Sequence, residues 1–172
     1  MNCPATETDL SAEEAHAIVE PYFIAVREQF LEAGLDRLQR LHLRPSWDMH
    51  DSPRHFAGCR DDGSEILVAP ELAELSVETV CAILAHECGH AADFCYPGEF
   101  ILRGSRLERY GDDERESKHW RHILRGWKQR DDDAVELTAD AIAETVLGIA
   151  IGYRGPCLLQ SFSGPRRPLG LR

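Results

Sequence analysis

His86, Glu87 and His90 stand in the run His86-Glu87-Cys88-Gly89-His90, and those residue types at that spacing can bind and use a metal ion. On a helix, side chains four apart share a face, so both imidazoles can reach one ion. Neutral imidazole is a preferred ligand of Zn²⁺, and two rings from adjacent turns supply half of a tetrahedral site. Glu87 lies about 100° further round the helix from His86. Its carboxylate then faces the open coordination position, where it can take a proton from water held by the metal. The competing reading is an exposed helical face that carries the three residues by accident. With 8 histidines in 172 residues, chance alone yields the pattern about 0.03 times.

Two histidines hold zinc weakly; catalytic sites use three protein ligands and leave the fourth place to water. The segment from Glu136 to Ala143 puts the carboxylates of Glu136 and Asp140 four apart on one helical face. The small side chain of Ala143 beside them permits close helix approach. Glu136 is the expected third ligand, and Asp140 the expected acceptor for an imidazole N–H, orienting the ring. Asp140 as the ligand is the main competitor, and Glu136 also has capping-box spacing from Asp133. Glu144, further round, reads as a surface charge. Asp93 joins His86 and His90 on the polar side of their helix as a further supporting residue. Val77, Cys81, Leu84, Cys88, Ala91 and Cys95 form the opposite, core-facing side. Cys88 is there a small buried hydrophobe rather than a nucleophile. His119 and His122, three apart, imitate a second metal pair but have no third partner at useful spacing.

The elements that must position these groups are legible in outline. Ser11 to Glu14 is a capping box opening a helix whose apolar set is Ile18, Tyr22, Val26 and Phe30, with Gly34 as its stop. Pro21 should kink that helix or begin a second one, and His16 reads as a surface residue. Leu41 to Trp47 suggests a short strand ending around Pro45. Asp48 to Pro53 reads as a loop, with His50 and His55 as polar loop residues. Segments 55–60 and 64–69 read as a hairpin around Asp61-Asp62-Gly63, closed by Pro70. Ser76 caps the histidine helix, which should run to about Tyr96 before Pro97-Gly98. Residues 99–111 read as irregular. Asp112 to Arg130 can form a helix with Trp120, Ile123, Leu124 and Trp127 inward, weakened slightly by Gly126. A last helix runs from Asp131–Asp133 to about Leu147. The expected organisation is one domain over residues 1–152 and a Gly/Pro-rich tail over 153–172.

Composition narrows the function classes. Apolar content of 43% and charged content of 28% suit a globular protein. A net charge of -11 disfavours nucleic acid or an anionic membrane as partner. Arg166 and Arg167 read as solvated tail charges. No apolar run reaches the length of a membrane span, and Met1 to Glu14 lacks the apolar core of a secretion signal, so the expected location is the cytoplasm. Cys81, Cys88 and Cys95 recur every seven residues, a rise of roughly 10 Å, too far for mutual disulfides; reduced thiols are expected.

The HExxH run and the downstream Glu136-x-x-Ala139-Asp140 helix resemble the zincin metallopeptidases of the gluzincin type. Among these the chain is similar to compact lethal-factor-like and ImmA/IrrE-like proteases. The resemblance covers about residues 55–148. It implies an α+β fold of zincin-like minimal type, with a small twisted sheet packed on an active-site helix plus a glutamate helix. It also implies a Zn²⁺ cofactor, a peptide or protein substrate, and hydrolysis with Glu87 as general base. By the same analogy Ser64 to Ala69 would be the edge strand that offers its backbone to substrate. Lethal-factor-like enzymes carry a tyrosine shortly before the glutamate helix to stabilise the oxyanion, and residues 127–133 contain none. His119, His122, Tyr110 and Tyr153 are the candidates to replace it. Position 96 is Tyr96, so the metzincin histidine is absent. The alternative function is a non-catalytic interaction domain of zincin fold stabilised by zinc. A further reading is a latent form with Cys157 as an inhibitory fourth ligand.

Overall fold

The computed structural model describes residues 10–46, 56–111 and 119–148. The expectations placed on Asp48–Pro53, His50, His55, Tyr153, Cys157, Arg166 and Arg167 lie outside the described residues, as does residues 112–118 of the expected long helix. What is described is a mixed α/β arrangement of four helices and two small sheets.

Helix α1 (Ala12–Glu32) opens on the expected capping box, with the Ser11 hydroxyl taking the Glu14 N–H and Glu14 reaching back to the Ser11 N–H. Pro21 neither stops nor divides it. Val19, Phe23, Val26 and Phe30 are all buried along one face, so both halves are held against the same core. That stripe is rotated from the expected one: Ile18 is exposed. His16 is half-buried, its Nε2 3.1 Å from the Leu43 carbonyl, rather than a free surface side chain.

Strands β1 (His42–Pro45), β2 (Ala57–Cys59) and β3 (Glu65–Val68) form one sheet in the order β1-β3-β2. β1 runs parallel to β3, and β2 antiparallel to it. The expected hairpin is therefore present as β2 and β3, but β3 is the central strand. Both its hydrogen-bonding sides are taken, so 64–69 cannot be the edge that receives a peptide. At the hairpin turn Gly63 adopts φ +68, and a Cβ there would lie 2.9 Å from the Ala91 carbonyl oxygen and from Cys95 Sγ. Glycine thus lets the turn seat directly on the histidine helix.

That helix, α2 (Val77–Cys95), is capped by Ser76, whose hydroxyl accepts the Thr79 N–H. Its two-sided division into core and cleft holds only in part. Every residue from Leu84 to Asp93 is buried, whereas Val77 at the first turn is exposed. Residues 99–111 are ordered, not irregular: β4 (Phe100–Arg103) and β5 (Arg106–Arg109) pair antiparallel. Helix α3 (Trp120–Lys128) is amphipathic, yet none of its residues is fully buried. Helix α4 (Asp132–Leu147) starts at the N-cap Asp131, whose side chain accepts the Ala134 N–H. No helix among the described residues is long and apolar enough to cross a membrane.

Candidate metal centre

The centre of the molecule is the contact between α2 and α4. A Cβ on Gly89 would overlap the carbonyl group of Ala139, 2.9 Å from its carbon. Only glycine permits that approach, and it brings α4 across the polar side of α2. Along α2 the residues His86, Gly89, His90 and Asp93 form a single stripe with spacing i, i+3, i+4, i+7.

Three donors converge where the helices meet. His86 Nε2 and His90 Nε2 are 3.0 Å apart, with their rings edge-on at 89°. Glu136 places Oε2 2.9 Å from His86 Nε2 and Oε1 3.3 Å from His90 Nε2. The donor atoms of His86, His90 and Glu136 all fall within 4.8 Å of one another, a group able to hold a metal ion. Asp140 sits behind this group, its Oδ1 2.7 Å from His86 Nδ1. An Nδ1–H donated to Asp140 leaves the Nε2 lone pair of a neutral ring aimed at the cluster. The competition between the two carboxylates is resolved geometrically: Glu136 belongs to the cluster and Asp140 to the far side of the ring. The capping alternative for Glu136 falls away because Asp131, not Asp133, caps α4.

Electrostatics follow from burial and proximity. Burial opposes a charge on His86, but hydrogen bonds to Asp140 and Glu136, helped by the charges of Glu87 and Asp140, together outweigh it and raise its pKa to about 10. Hydrogen bonds from the His86 and His90 rings hold the Glu136 carboxyl well below the usual carboxylate range. The cluster is built to keep positive charge, whether a proton or an ion. Glu87 is only 7% exposed. Burial raises its pKa; the charges of His86 and His90 and a hydrogen bond from the Cys59 backbone act the other way. Cys88 is fully buried, and burial pushes its thiol up, which suits packing rather than nucleophilic attack.

Among the described residues the ligand group contains none of the other expected residues. Asp93 is completely buried, but its partners are Trp127 Nε1 at 2.9 Å and the Arg130 guanidinium, not an imidazole. His119, just before α3, and His122, on it, are both exposed. The Tyr110 hydroxyl is engaged by Glu108 at 3.0 Å and Arg103 at 3.3 Å beside the β4–β5 hairpin. Glu144 is half-buried rather than a surface charge. Sequence reasoning gave no site role to Gly89, Arg130 or the Cys59 backbone, and read Trp127 only as an inward-facing residue. Gly89 did leave a signal, as a helix-weakening glycine in the middle of an otherwise good helix. Compared with models of protein families, with curated proteins and with solved structures, the chain matches none.

Proposed function

We propose that the protein is a zinc-dependent peptidase of zincin type. The observation that carries this reading is the meeting of His86 Nε2, His90 Nε2 and a Glu136 oxygen beside the buried carboxylate of Glu87. A tetrahedral ion with bonds of about 2.0–2.1 Å spaces its ligands roughly 3.3 Å apart. The observed separations of 2.9–3.3 Å reach that spacing at one pair and fall a few tenths of an ångström short at the other two, so the donors would part slightly around an ion. Two imidazoles and one carboxylate are also a donor set of catalytic rather than structural zinc sites, which favour closed thiolate shells.

Zn²⁺ bound there supplies Lewis acidity, which polarises a scissile carbonyl and makes water easier to deprotonate. Glu87 takes the proton from the attacking water and passes it to the leaving amine. Burial raises its pKa, which favours its holding the proton it has taken. Asp140 fixes the tautomer and orientation of His86. The backbone of Cys59, donating to Glu87, aims that carboxylate. It also places the outer edge of β2, not β3, beside the site, so β2 is the strand to which an extended peptide would add.

Replacing Glu87 with Gln tests the assignment. The variant should keep its zinc and lose at least about 100-fold in peptide-library turnover; parental turnover would reject the role. A second reading, a zinc-stabilised interaction domain, is favoured by the enclosure of the rings, at 8% and 7% exposure for His86 and His90. Under that reading neither the parent nor the Gln variant cleaves any library peptide.

A further inference from the structure

We propose that Arg130 and Trp127, acting through Asp93, are positioning residues that set the place of Glu136 and hence the affinity of the site for zinc; the inference rests on the metal reading above. The stripe on α2 meets α4 rung by rung in antiparallel order. His86 faces Asp140, Gly89 faces Ala139, His90 faces Glu136, and Asp93 faces Arg130 immediately before the α4 N-cap. Glu136 therefore lies between two anchors. One is the backbone contact at Ala139, and the other is the Asp93–Arg130 pair. Two points fix the line of a helix, and the carboxylate between them inherits that line.

The second anchor is not a simple surface tie. Asp93 has no solvent exposure, and its two oxygens are divided between Trp127 Nε1 and Arg130 Nη2. Arg130 Nε donates to the Trp127 carbonyl at 3.0 Å, and the guanidinium lies 5.1 Å from the indole centroid. Arg130 Nη1 is buried with no hydrogen-bond partner among the described residues. A buried ion pair with an unsatisfied N–H stabilises less than apolar packing of the same volume. What it supplies instead is direction, since the planar guanidinium gives Nη2 to Asp93 and Nε to the Trp127 carbonyl at once. The end of α3 and the start of α4 are thereby tied to the turn of α2 that follows His90.

The test compares Arg130→Gln, Arg130→Lys, Trp127→Phe and Glu136→Ala with the parent. Zinc affinity is measured by competition with a chromophoric chelator, and site geometry from the visible bands of the Co²⁺-substituted protein. Folding is followed by far-UV circular dichroism. Arg130→Gln should bind zinc about 10–100-fold more weakly while remaining helical, as losses of supporting partners at metal sites do. Its cobalt bands should shift. Arg130→Lys should recover part of the loss, and Trp127→Phe, which deletes one hydrogen bond and cannot leave a charge unpaired, should show a smaller one. Parental affinity and bands in folded Arg130→Gln and Trp127→Phe, with zinc lost in Glu136→Ala, would overturn the positioning role alone. A parent that binds no zinc would overturn it together with the metal reading.

Discussion

At the scale of single residues, the site depends on how each ring nitrogen is used. His86 spends Nδ1 on Asp140 and keeps Nε2 for the cluster. Asp140→Asn should weaken zinc binding about 10–100-fold, because an amide can present its N–H to the ring and favour the wrong tautomer; an unchanged affinity would show that the carboxylate plays no part. The charge on His86 also gives a sign for pH. Its folded pKa is raised from 6.5 to about 10. In chelator-treated protein its contribution to stability is therefore full below pH 6.5 and is lost as pH rises through about 10. Glu136, lowered from 4.5, contributes above that value and loses its contribution as pH falls through its folded pKa. Denaturant midpoints measured against His86→Gln should show an advantage for the parent that shrinks between pH 6.5 and 10. A gap that widens over that window contradicts the charge assignment.

At the scale of elements, α2 and α4 behave as a pair whose separation is set by one glycine. Gly89→Ala forces a Cβ onto the Ala139 backbone. It should destabilise the protein by about 1–3 kcal/mol despite the better helix propensity of alanine. Zinc affinity should fall with it, because Glu136 moves with α4. A stabilised Gly89→Ala protein of parental affinity would mean the helices do not meet there. Caps and hydrophobic stripes made most of these elements readable beforehand. Ser11, Ser76 and the Asp-Gly turn each sit where their side-chain chemistry predicts. The pairing of His86 with His90 was likewise readable, because helical spacing is a local property, whereas Glu136 was expected from the carboxylate spacing on its own helix and from the family resemblance. What could not be read is what long-range contacts decide. The ordering of residues 99–111 is a different case: β4 and β5 pair across the two-residue loop Gly104-Ser105, a local hairpin signal that the sequence reading passed over. The central place of β3 depends on β1, which arrives from elsewhere in the chain. The partner of Asp93 depends on where α3 ends.

At the scale of the whole molecule, a charged cluster is set into the α2–α4 contact beside an apolar core that both helices share through Leu84, Cys88, Ile142 and Ala143. That core also takes in Val19, Phe30, Leu43 and Ile66. An ion that ties α2 to α4 should therefore act as a global stabiliser. Zinc at about 100 times its dissociation constant should add about 2.7 kcal/mol and raise the thermal midpoint by several degrees. Chelation should reverse the shift. A thermal midpoint indifferent to zinc and to chelator would mean that no ion bridges the two helices.

The most direct test of the central claim is zinc stoichiometry after exhaustive dialysis, measured by elemental analysis on the parent and on His86→Ala, Glu136→Ala and Glu87→Gln. One zinc per chain in the parent and in Glu87→Gln, and none in the other two, is the predicted result. An empty parent, or full zinc in Glu136→Ala, contradicts the account.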